Sequence, residues 1–72
     1  MSLVISYIEI ANLLLDDNNE LRTSLFRSAY SVTPFKDVTR YIFNSETKFN
    51  EACEFIRSFD KVPFLYKNNF KQ

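Results

Sequence analysis

Polar residues in the opening of the chain fall at Ser2, Ser6, Glu9, Asn12 and Asp16, in steps of three and four. That spacing keeps them on one side of a helical wheel, and the alternation a strand needs breaks at Leu13-Leu14-Leu15. The pattern predicts a helix over about 3–15, although its Val and Ile content suits a strand. Roughly two-thirds of that helix's circumference is apolar, which marks a central helix or one packed against another chain.

Further along, Leu21, Leu25 and Ala29 form a stripe flanked by Phe26 and Tyr30, predicting a second helix over about 18–30. Asp17 or Asn18 is placed to cap it, and Glu20 falls in its first turn. The acidic cluster of Asp16, Asp17 and Glu20 is thereby accounted for as a helix start rather than as a metal or catalytic site. Thr33 before Pro34 reads as cap and first helical residue of a third helix, about 34–43, with Phe35, Val38 and Ile42 inward. Lys36, Arg40 and Phe43 then share its outer side. The fourth helix, about 46–59, has Phe49, Ala52, Cys53, Ile56 and Phe59 on one face and Ser45 as its cap. After Pro63 the chain reads as a short fifth helix or an extended arm, whose Phe64, Leu65, Tyr66 and Phe70 close the core or dock on a partner. The expectation is an all-α fold: one domain spanning 1–72, built as a bundle of four helices.

Composition sharpens this reading by what is missing. The chain has no Gly and no His, one Cys, and twelve aromatic residues, eight of them Phe. Without Gly there is no Walker loop, dinucleotide fingerprint or nucleophile elbow, and two-residue hairpin turns become improbable. Without His, imidazole acid–base chemistry and the usual zinc and haem ligand sets are gone. The expectation is no enzyme, no cofactor, no metal and no small-molecule substrate. Lone Cys53 cannot close an intrachain disulfide, so it reads as a packing thiol in a reducing compartment, the cytoplasm. No run of apolar residues is long enough to span a membrane. A chain of 72 residues buries only about 60% of its unfolded surface, so association with something else is expected.

Net charge is zero but unevenly distributed. Residues 1–20 carry Glu9, Asp16, Asp17 and Glu20 with no cation, whereas residues 21–44 carry Arg22, Arg27, Lys36 and Arg40 against Asp37. The stretch LFRSAYSVTPFKDVTRYIFN, residues 25–44, loosely resembles helix-turn-helix DNA readers: Ala29 takes the small position, Val32-Thr33 the turn exit, and Val38, Arg40 and Ile42 the second helix. The resemblance implies that Lys36, Thr39 and Arg40 face bases or phosphates, with Arg22, Arg27 and Lys48 on the backbone. The turn is one residue longer than that pattern, and a neutral chain lacks the usual cationic surplus.

Exposed Tyr and Phe beside Arg is the composition of protein interfaces. The leading expectation is a small regulator or inhibitor that binds a larger protein, alone or as a homodimer. The candidate partner-binding residues are Arg27, Tyr30, Lys36, Arg40, Phe43, Tyr66 and Phe70, with Tyr7 and Tyr41 as further aromatic candidates. A helix-turn-helix DNA-binding regulator is the alternative, and a structural subunit of an assembly the third option. Richness in Asn, Phe, Ile, Tyr and Lys suggests an AT-rich genome, and small chains of this kind are common in phages and mobile elements.

Overall fold

The computed structural model describes residues 6–70. It is an α+β fold, so the all-α helical bundle expected from the sequence is overturned. The first element is a strand, β1 (Ser6–Ala11), followed by two helices, α1 (Asn12–Asp17) and α2 (Asn19–Ser28). Strands β2 (Ser31–Pro34) and β3 (Val38–Phe43) come next, then helix α3 (Glu46–Arg57) and strand β4 (Leu65–Lys67). The strands form one sheet in the order β2-β3-β1-β4, with every neighbouring pair antiparallel. With α1 and α2 as one crossover and α3 as the other, this is the β-α-β-β-α-β, or ferredoxin-like, arrangement.

β1 is a strand because its alternation is real but short. Ser6, Ile8 and Ile10 are buried, and Tyr7, Glu9 and Ala11 are only partly so. Leu13-Leu14-Leu15, which breaks the alternation, belongs to α1. The helix expected over 3–15 merges these two elements, and its residues 3–5 lie outside the described residues. Ser6 also disguises the pattern by being a polar residue on the buried face. Its hydroxyl oxygen accepts from the Asn69 N–H at 2.8 Å, which removes the penalty for burying it.

The helix expected over 34–43 is absent. Val38-Thr39-Arg40-Tyr41-Ile42-Phe43 is composed of residues that fit a pleated surface, and it pairs along its length with β1. Thr33 and Pro34 are therefore not a helix cap and first turn. They end β2, an edge strand of the sheet, where a missing N–H is tolerated. The β2–β3 connection needs no Gly, because three residues, Phe35, Lys36 and Asp37, make the turn instead of two. Asn12 clamps that turn. Its N–H donates to the Asp37 carbonyl at 2.9 Å, its side-chain amide reaches the Phe35 and Lys36 carbonyls, and its Oδ1 accepts from Thr39 Oγ1 at 2.6 Å. The positive φ among the described residues falls on Lys61, at 62°, in the turn that follows α3.

α2 and α3 stand close to where the sequence places them. Asn18 separates α1 from α2, but its side-chain amide donates back to the Leu14 carbonyl instead of capping. Ser45 caps α3, accepting from the Lys48 N–H. Leu21 and Leu25 of α2 and Phe49, Ala52, Cys53 and Ile56 of α3 meet Ile8, Ile10, Tyr41 and Phe43 of the sheet in one core. Both main helices thus cover the same face of the sheet. The segment after Pro63 is extended, as one of the two expected readings had it, and pairs along β1 as β4 instead of forming a fifth helix.

Candidate interaction surface

Among the described residues, no helix lies on the sheet's other face. Its ladder pairs fix the layout as three rows across the four strands. One row runs Ser31, Ile42, Tyr7, Lys67; the next runs Thr33, Arg40, Glu9, Leu65. The third holds Val38 and Ala11, with Phe35 at the β2 side. The face therefore mixes aliphatic and aromatic groups with one ion pair near its centre.

Arg40 organises that centre. Its Nε donates to Glu9 Oε2 at 2.7 Å, and a second guanidinium nitrogen contacts the same oxygen. Its guanidinium carbon also lies 4.2 Å from the centroid of the Tyr7 ring and 5.2 Å from that of Phe35. The cation is thus held by a carboxylate and two π-faces at once. Glu9 is the more sheltered partner, with a side chain 16% exposed against 34% for Arg40. At one end of the face, Ala11, Leu14, Val38, Pro63, Phe64 and Leu65 line a shallow apolar groove bordered by Glu9. Leu65 is 71% exposed there.

The partner-binding residues expected from the sequence divide three ways. Arg40 lies on the open face, and Lys36 is exposed in the turn beside Phe35. Arg27 and Tyr30 are exposed near the end of α2 and before β2, and Tyr66 is half exposed on β4, so these stand apart from the Arg40 cluster. Phe43 cannot meet a partner: it is 1% exposed and packs edge-on to Phe49, on the opposite side of the sheet from Arg40. Tyr41 is buried in the same way. Phe70 packs against Phe49 at 5.8 Å and is part of the core closure. Lys36, Arg40 and Phe43 therefore share no common side. Glu9 is missing from the expected set, because its partner lies 31 residues away and is visible only once both segments are paired as strands.

Elsewhere the structure offers little for chemistry. The shallow grooves along α2 and α3 are open to solvent, one of them lined by Arg22, Phe26 and Arg27. Arg22 also lies 3.6 Å from Asp16, an ion pair between exposed side chains. Burial pushes the Tyr41 hydroxyl and the Cys53 thiol above their ordinary values, with Arg22 and Arg57 respectively opposing the shift. Both shifts follow from packing in the core, and Cys53 is free and buried. Among the described residues no cluster of three or more His, Cys, Asp or Glu side chains is arranged to hold a metal ion. No helix among them is long and apolar enough to cross a membrane.

The fold defines a two-layer α+β domain with one open sheet face, an architecture that hosts many unrelated activities. No family model, curated protein or solved structure matches this chain.

Proposed function

We propose that this chain is a non-enzymatic protein-binding module, a small cytoplasmic regulator or inhibitor that docks on a larger protein through the open face of its sheet. The observation that carries this reading is the face itself. Tyr7, Ile42, Val38, Ala11 and Leu65 surround the Glu9–Arg40 pair on a surface that no helix of the described residues covers. A mixed aromatic and aliphatic patch with an Arg at its centre is the composition of interface anchors. The face is built on strands, so its side chains are held in register before any partner arrives.

The helix-turn-helix alternative loses its structural basis, since residues 34–43 contain no recognition helix. A nucleic-acid partner would also meet the Glu9 carboxylate in the middle of the face, in a chain with no net positive charge. A photo-crosslinking residue placed at Thr33, on the face, tests the reading against one placed at Glu51 on α3. Capture of a defined protein from Thr33 and not from Glu51 supports docking through the sheet. Equal capture from both, or from Glu51 alone, overturns it.

A further inference from the structure

We infer that the open sheet face pairs with the same face of a second copy of this chain, about a two-fold axis that runs parallel to the strands between β3 and β1. The inference rests on the reading of this face as a docking surface and names its occupant.

The ladder register supplies the argument. A two-fold axis parallel to the strands places β3 of one copy over β1 of its partner. In the central row Arg40 then faces the partner's Glu9, and Glu9 faces the partner's Arg40. Two intrachain ion pairs become a closed ring of four alternating charges. In the row above, Ile42 meets the partner's Tyr7. In the row below, Val38 meets the partner's Ala11. At the margins Leu65 comes over the partner's Thr33 and Lys67 over the partner's Ser31, with no like charges opposed. An isologous interface must be self-complementary in this way, each residue meeting a different residue that meets it in return.

The competing axis, in the interface plane but perpendicular to the strands, exchanges the outer rows and maps the central row onto itself. It sets Arg40 over the partner's Arg40 and Glu9 over the partner's Glu9, which charge repulsion disfavours. One of the two simple face-to-face pairings is therefore favourable and the other is not. Two packed sheets are rotated by roughly 30° from alignment. That rotation is about the normal to the two sheets, and the central row lies nearest its pivot, so the charge ring is displaced least.

The size of the face sets the strength. Four strands about 4.8 Å apart and three rows about 7 Å apart give a footprint on the order of 400 Å². That is about half of the ~800 Å² per partner found in stable interfaces. The pair is accordingly weak and reversible, and a larger partner carrying a better-matched surface can displace the second copy.

The test is sedimentation equilibrium on the full chain from roughly 10 μM to 1 mM, the range in which interfaces this small associate. Amide chemical shifts are followed over the same dilution. A monomer–dimer equilibrium, with shifts at Tyr7, Thr33, Ile42 and Leu65 and none along the outer side of α3, is the expected result. Glu9→Arg alone and Arg40→Glu alone should each weaken pairing by about tenfold or more, because each leaves the two central charges of the face with one sign. An equimolar mixture of the two variants should associate again, since the strand-parallel axis sets each new charge opposite its complement. The amide spectra report whether the variants are folded, and the wild-type dilution needs no variant. A wild-type chain that stays monomeric to 1 mM overturns the inference, and so does a dimer whose shifts map to the helices or to the β2 or β4 edge. Folded single variants that do not associate on mixing overturn the pairing of the two faces. A monomeric chain whose Thr33 crosslinker still captures a protein leaves the docking reading standing. A monomeric chain that captures nothing ends both.

Discussion

Arg40 and Glu9 are direct cross-strand partners on β3 and β1, joined by a 2.7 Å hydrogen bond on the uncovered side of the sheet. Both are partly shielded, so the pair stabilises the fold more than a fully solvated one. Removing either partner tests this. Arg40→Ala should cost about 1–2 kcal/mol, because it loses the charged hydrogen bond and the contact over Tyr7. Glu9→Gln should cost about 1 kcal/mol, since the guanidinium keeps its aromatic contacts. Urea unfolding of the two variants checks the order, and equal losses would argue against the role of Tyr7.

Phe49 is the hinge of the aromatic packing. It is 1% exposed and meets Phe43, Tyr66 and Phe70 at ring distances of 5.8, 6.1 and 5.8 Å. Phe49→Ala should cost about 3–5 kcal/mol. The total stability of a domain of this length is roughly 4–11 kcal/mol. A thermal melt should show a large fall in Tm or no cooperative transition. Phe26→Ala, removing an exposed ring on α2, should change the melt little.

Ser6 holds the last part of the chain to the first strand through the Asn69 N–H. Ser6→Ala removes the hydroxyl that accepts this hydrogen bond and should cost about 1 kcal/mol. The loss is local. Hydrogen exchange at Asn69 and along β4 should accelerate, while exchange in α3 follows only the global change.

Alkaline pH should weaken the fold. Burial raises both Cys53 and Tyr41 above their ordinary values of 9.0 and 10.0. The unfolded chain therefore releases these protons first. Their contribution is fully present below about pH 9 and is lost as pH climbs through the raised folded values. Cys53→Val removes one of the two groups with little change in volume. The alkaline fall in Tm should be smaller in that variant than in the wild type.

Helical structure was legible wherever the apolar period ran through a single element. Phe49, Ala52, Cys53 and Ile56 all face the core as their spacing implies, and Leu21 and Leu25 do the same. The strands were hidden by two accidents. Ser6 is polar yet buried, so the polar set of β1 mimicked a helical step. Phe35, Val38 and Ile42 also fall at helical spacing, although the residues of β3 that reach the core are Tyr41 and Phe43. The β-branched and aromatic content of 38–43, and the six-residue alternation of 6–11, were the signals that pointed the other way. The candidate site suffered from the same error. Arg40 and Tyr7 are singled out by the sequence and both lie on the open face, but Glu9 and the exclusion of Phe43 depend on strand parity, which a helical wheel scrambles.

The two edges of the sheet are poor templates for growth. β4 offers only three residues and carries Lys67, while β2 offers four and ends in Pro34. Short edges bearing Pro or Lys resist the strand-by-strand addition that builds fibrils. A chain this rich in Phe, Ile and Leu would otherwise be an aggregation hazard when crowded. The edges thereby disfavour open-ended addition of further chains through the backbone.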